Sequence, residues 1–386
     1  MAFTPPFRAL LAWLVLSAVI ACSENPPAGP SDPEGRAEPV SAGQPSPQPS
    51  PQPSPPQPSP NPSARRGIWI SREELSRIPE SGPSWLALEQ AAARSCGRPD
   101  LSNQKDDANI CVLAKALVFA RTGDEGRRAE VTEALRAVAA GRSYGGRALA
   151  LGRELAAYVI SADLIDLAGR DPSLDASFRS AIAGLLTART SGGPKNLVEC
   201  HEERPNNWGT HCGASRAAVA AYLDDAAQLE RVATVFRGWL GDRDAYAGFK
   251  YGDLSWQCDP ASPVGVNPPG CVRGGHSIDG VLPDDQRRGG GFTWPPPREN
   301  YVYEALQGAL VQAVILQRAG YDAFAWQDSA LLRAFRWLHE QARFPPSGDD
   351  GWQVPLVNAF YGTSFPEPRP SRPGKNMGFT DFTHAR

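Results

Sequence analysis

"GGRALALGRELAAYVISADLIDLAG", residues 145–169, sets Leu151, Leu155, Tyr158, Val159 and Ala162 on one face at helical spacing. A run this long with that period is an amphipathic helix, not a strand. The same period recurs on both sides. "DDANICVLAKALVFARTGD" (106–124) carries Ile110, Leu113, Ala114, Leu117 and Val118, and Gly123 is its stop signal. "RRAEVTEALRAVAAG" (127–141) and "DASFRSAIAGLLTART" (175–190) follow the same pattern. Further along come "SRAAVAAYLDD" (215–225), "AQLERVATVFRGWLG" (227–241), "NYVYEALQGALVQAVILQRAG" (300–320) and "DSALLRAFRWLHEQARF" (328–344). No convincing run alternates with period two. The expected class is all-α, antiparallel helical hairpins joined by short turns.

Two stretches break this pattern, 250–298 and the Pro- and Gly-broken 344–386. Both hold Trp, Phe and Tyr, which disordered segments generally lack. They are expected to pack across the helices as long loops that line a cleft.

Residues 1–22 read as an export signal. "RALLAWLVLSAVIAC" (8–22) has one basic residue, a short apolar run, small residues and Cys22. The run is too short for a comfortable membrane span. "VIAC" resembles the lipobox of bacterial lipoproteins, which implies that Cys22 is lipidated after cleavage. Residues 23–65 have almost no side chain large enough to bury and are dense in Pro, so a disordered, extended linker is expected. The folded domain is then 66–386. This predicts an exported protein, lipid-anchored in the bacterial cell envelope at the outer membrane.

The 39 basic and 42 acidic residues leave a formal charge of -3, so nothing points to nucleic acid. The five His are scattered at 201, 211, 276, 339 and 384, and zinc spacing is absent, so no metal is expected. Beyond Cys22, six cysteines form near-neighbour pairs. Of the fifteen possible connectivities, Cys96–Cys111, Cys200–Cys212 and Cys258–Cys271 need no long closure, and bridges suit an exported chain.

The candidate site begins at "ERPNNWGTHCGASRAAVAAYLDD" (203–225). A helix starting near Asn207 puts Asn207 and His211 one turn apart on one face. Capping is the competing explanation of Asn207. The second cluster is "DGVLPDDQRRGGGFTWPPPRENYVYEALQGAL" (279–310), with Arg287, Arg288, Arg298, Tyr301 and Tyr303. Arg298 and Tyr301 share a face if the helix has begun. An Arg salt bridge beside packed aromatics is the structural alternative.

"NNWGTH…ASRAAVAAYLDD", "DGVLPDDQRRG", "RENYVYEALQGALVQAVILQRAGYDAFAW" and "GKNMGFTDFTH", in that order over roughly 90–386, resemble the alginate lyase superfamily. The resemblance implies an incomplete α/α toroid that cleaves a uronate polymer by β-elimination. Such chemistry needs a group to neutralise the C5 carboxylate, a base for the C5 proton and an acid for the leaving O4. It maps the first task onto Asn207, with Asn206 beside it. Arg298 would stabilise the developing charge, and Tyr301 would act as base or acid, with Tyr303 the alternative two residues on. Trp208 stands where well-studied alginate lyases carry His, so His211 or His276 would replace it. Trp208, Arg288, His276, Tyr303 and Lys375 join Asn206 as expected substrate contacts. The reading is of a monomer acting on an acidic polysaccharide without a cofactor. Two rivals stand beside it. One is a polysaccharide-binding lipoprotein without activity. The other is an α/α glycoside hydrolase drawing two carboxylates from Asp253, Asp279, Asp284, Asp285 and Glu299.

Overall fold

The computed structural model describes residues 67–141 and 144–385. Cys22, the expected signal and the expected linker lie outside the described residues. What is described is overwhelmingly helical. Helices α1 (Arg72–Ser76), α2 (Pro83–Ala93), α3 (Ala108–Thr122), α4 (Glu125–Ala139) and α5 (Ala148–Leu164) come first. They are followed by α6 (Leu167–Arg170), α7 (Pro172–Thr187), α8 (Leu197–Glu203), α9 (Asn207–Tyr222) and α10 (Ala226–Leu240). After a long loop with the short α11 (Pro283–Gln286) come α12 (Tyr301–Arg318), α13 (Trp326–Arg336), α14 (Gln353–Tyr361) and α15 (Thr380–Thr383).

Local chemistry sets many of the ends. The side chains of Asp124, Asp171, Asn196, Asn206 and Asp225 each accept a backbone N–H in the first turn of the helix they precede. Gly123 closes α3 in the left-handed conformation, where a Cβ would be strained.

Helix α9 is buried on nearly every side and lies between α5 and α12. Glycines allow the close crossings. A Cβ on Gly152 of α5 would come within 2.8 Å of the Cys212 nitrogen, and one on Gly308 of α12 within 2.4 Å of the Thr210 carbonyl carbon. The Ser215 hydroxyl inserts into α5, accepting from Ala156 N at 3.0 Å and donating to Gly152 O at 2.8 Å. Gly152 and Ala156 meet α9 at Cys212 and Ser215, while Gly308 and Gln312 meet it at Thr210 and Gly213. The three helices therefore run in the same direction, with their first turns at one end. Buried apolar side chains form a connected core from Ile68 to Phe382.

The two irregular stretches depart from simple loops. Within 250–298, Val272–Arg273 (β1) and His276–Ser277 (β2) pair as a small antiparallel hairpin, too short to show as alternation. Trp256 is fully buried against Phe292 and Trp337, which fastens the loop to the helices. The tail expected to be irregular contains α14 and α15, and Val354, Leu356, Val357 and Phe382 join the core. Proline and glycine density masked these short helices.

Two expected disulfides are present, Cys96–Cys111 and Cys258–Cys271. The third is corrected: Cys200 and Cys212 are neighbouring buried thiols. Each sulfur is turned to a different backbone acceptor, Cys200 to Trp208 O at 3.4 Å and Cys212 to Ala148 O at 3.5 Å.

Candidate active site

Asn207 opens α9 as its first residue, but Asn206 performs the capping, accepting from Trp208 N at 3.2 Å. That leaves the Asn207 side chain without a structural task. It is completely buried, and neither its amide nitrogen nor its oxygen has a partner. Unmet buried polar groups are costly and uncommon, and they mark places where a site holds binding capacity in reserve.

His211 lies one turn further in, also fully buried, with neither ring nitrogen hydrogen-bonded. It does not lie open at the surface of a cleft. Its Nε2 is 3.8 Å from Glu304 Oε2, too long for a hydrogen bond. Glu304 already has two cations. Arg153 of α5 pairs with Oε2, and Lys375 from the C-terminal segment pairs with Oε1 at 2.6 Å. Burial raises the Glu304 carboxyl, but the nearby His211 ring, then Arg153 and Lys375, outweigh it and hold the group well below its ordinary range. With Glu304 neutralised, burial dominates at His211 and lowers its pKa to about 4, so the ring is neutral near pH 7.

The elements converge for visible reasons. Asn109, in the first turn of α3, donates to the Lys375 carbonyl at 2.8 Å, and Asn376 donates to Gln307 O at 3.2 Å. These bonds clamp the C-terminal segment against α3 and α12 and deliver Lys375 to Glu304. Gln307, one turn beyond Glu304, donates to Asp350 at 2.7 Å. Burial raises the Asp350 carboxyl to about 7. On α5, Glu154 and Tyr158 are one turn apart with unpartnered oxygens, and burial lifts the Glu154 carboxyl to about 10.

Tyr301 is half-buried at the first position of α12, and the exposed Arg288 lays its guanidinium 3.9 Å over the ring centre. Arg298 is exposed in the turn before α12. The helix has not begun there, so the shared face with Tyr301 expected from helical spacing does not form. Tyr303, the alternative two residues on, does not share the partly exposed position of Tyr301. It is fully buried against Phe335 and Phe344, and its hydroxyl donates to Phe344 O.

Trp208 is half-buried with Arg204 above its ring at 6.0 Å. His276 stacks flat on Trp294 at 4.2 Å, on the long loop. The Asn206 side chain also donates to Asp284 at 2.9 Å. Four of the five hydrolase candidates are occupied otherwise, and the fifth, Asp285, is fully buried with one oxygen free. Asp279 pairs with Arg333, Asp284 with Arg287, Asp253 accepts from Ser255, and Glu299 accepts from Tyr301 N. Among the described residues no group of His, Cys, Asp and Glu is arranged to hold a metal ion.

Sequence reading missed Arg153 and Glu304. Both sit inside strongly apolar helix runs, and a charge on a face that must be buried was the available signal. No family model matches this chain, and no curated protein matches it. Among solved structures it is similar to the crystal structure of alginate lyase A1-III from Sphingomonas species A1. The TM-score is 0.53 at 11% identity, over 82% of this chain and 93% of that one. At that identity the likeness speaks for the fold: the chain has an alginate-lyase-like, mostly helical architecture.

Proposed function

We propose that the protein is a polysaccharide lyase on an incomplete α/α toroid, cleaving a uronic-acid polymer such as alginate by β-elimination. The observation that carries this reading is the Asn207 side chain, fully buried, unpartnered and relieved of capping by Asn206. Its amide N–H is suited to hydrogen-bond the C5 carboxylate of a uronate, and the first turn of α9 adds partial positive charge there. As the C5–H bond breaks, negative charge spreads onto that carboxylate, and a donor already in place stabilises it.

Tyr301, reacting through its deprotonated oxygen, takes the C5 proton. The C5–H electron pair forms the C4–C5 double bond as the C4–O4 bond breaks, and Tyr301 hands the same proton to O4, which leaves as an alcohol and returns Tyr301 to its starting form. Arg288 holds the Tyr301 ring from its face, and exposed Arg298 offers a guanidinium to the developing charge. His211 stands behind Asn207 as a neutral ring, with the Arg153–Glu304–Lys375 group beneath it. Trp208 is a flat apolar surface for a sugar ring.

We further propose that the chain is exported and lipid-anchored through Cys22. Two disulfides suit an oxidising compartment, and no described helix is long and apolar enough to cross a membrane.

The test is a panel of uronic-acid polymers followed by ultraviolet absorbance. A lyase leaves an unsaturated uronate at the new non-reducing end, which absorbs. A hydrolase leaves reducing ends without that absorbance, and a binding protein leaves the polymer intact. Either of the last two results overturns the reading.

A further inference from the structure

Next to Asn207 stands a group that the elimination chemistry does not itself require. Asp284 and Asp285, on α11, meet the first turn of α9 from the long loop. Asp284 is saturated, accepting from Asn206 Nδ2 at 2.9 Å, Gly252 N at 3.0 Å and the Arg287 guanidinium at 2.8 and 3.4 Å. Asp285 differs. It is completely buried, its Oδ1 accepts the Asn207 backbone N–H at 3.1 Å, and its Oδ2 has no partner. The carboxyl is thus fixed to the Asn207 backbone, and both its second oxygen and the two polar atoms of the Asn207 side chain are buried without a partner.

The two ends of an amide are chemically opposite. Only the NH2 end stabilises a carboxylate; the carbonyl end repels it. Something must therefore choose the end that faces the substrate. We propose that Asp285 is a positioning residue whose Oδ2–H donates to the Asn207 side-chain oxygen, leaving the amide nitrogen to the substrate carboxylate. The inference deepens the lyase reading and rests on it.

The surroundings favour a proton on Asp285. It is withdrawn from water, and Asp284 beside it disfavours a second negative charge. The bond from Asn207 and the more distant Arg288 and Arg287 only partly oppose this, so the carboxyl is pushed well above its ordinary range. From α9 the group facing it is the neutral Asn207.

The experiment uses the whole protein and a polymer that it converts to unsaturated product. Three variants, Asp285→Asn, Asp285→Ala and Asn207→Ala/Asp285→Ala, are compared with wild type and Asn207→Ala for kcat, KM and thermal unfolding. Asn carries an N–H where the acid carries its proton, so Asp285→Asn should keep kcat within about fivefold and unfold no earlier than wild type. Asp285→Ala should lower kcat by about thirtyfold or more, with KM changed much less. Because Asp285 acts through Asn207, adding Asp285→Ala to Asn207→Ala should cost nothing more. An unaffected Asp285→Ala, or additive losses in the double variant, overturns the proposal. So does a folded Asp285→Asn variant without turnover, which decides the matter even if Asp285→Ala fails to fold. A wild type that yields no unsaturated product on any polymer overturns the lyase reading itself, and this role with it.

Discussion

Asn207 and His211 are one turn apart and equally buried, yet stability and chemistry separate at these positions. Asn207 caps nothing, so Asn207→Ala should cost only the bond proposed from Asp285, about 1 kcal/mol, while turnover falls about a hundredfold. Asn206→Ala should cost about 1 kcal/mol, the usual loss of a cap. Tyr301→Phe should also lower turnover about a hundredfold. Tyr303→Phe should keep activity and lose about 1 kcal/mol, because it strands the Phe344 carbonyl. If Tyr303→Phe is inactive and Tyr301→Phe active, the acid/base assignment moves two residues on. The Asn–His spacing was legible because a helix period fixes which residues share a face. That the preceding Asn would cap was not, since either Asn can begin a helix.

His211 also makes a residue-scale prediction about acid. Its folded pKa is lowered from 6.5 to about 4, so the fold favours the neutral ring. Its contribution is therefore present above pH 6.5 and lost as pH falls toward 4. Glu304 is lowered as well, so its contribution is present above pH 4.5 and disappears at more acidic pH. Buried His201 and His384 are shifted in the same direction as His211. His211→Gln should therefore flatten part of the loss between pH 6.5 and 4, read by thermal melts across that range, and leave the steeper loss below it. A His211→Gln variant that instead loses stability relative to wild type as pH falls through 6 would show a charged His211 paired with Glu304; the raised Asp350 and Glu154 carboxyls, which favour the fold as pH falls, are common to both proteins and cancel in that comparison.

At the scale of elements, α9 works because it is squeezed. Gly308→Ala places a Cβ within 2.4 Å of the Thr210 carbonyl carbon and must push α9 and α12 apart. It should destabilise by about 1–3 kcal/mol. It should also lower turnover, since Thr210 lies between Asn207 and His211. A stable, fully active Gly308→Ala would mean that the crossing has slack. The long helices were legible from their apolar period. The C-terminal segment was not, because its ordering comes from distant partners such as Asn109 and Gln307. The Arg153–Glu304 pair was hidden for the same reason, its members being 151 residues apart. The unbridged Cys200 and Cys212 show that short spacing can bring two buried thiols together without the bond being formed.

At the scale of the whole molecule, the all-α architecture followed from hydrophobic period alone, while the substrate reading joins a fold likeness to a few side chains. The proposed placement in the cell rests on Cys22. Cys22→Ala should remove lipidation and release a folded, soluble protein, read by membrane flotation; a variant that still floats with membranes would contradict the anchor. The central claim is the bond-breaking chemistry. Its most direct measurement is mass spectrometry of oligosaccharides made from a uronate polymer in water enriched in heavy oxygen. Elimination uses no water, so the account predicts unsaturated products free of the label at the cleaved bond. Saturated products carrying the label there would contradict it and establish hydrolysis.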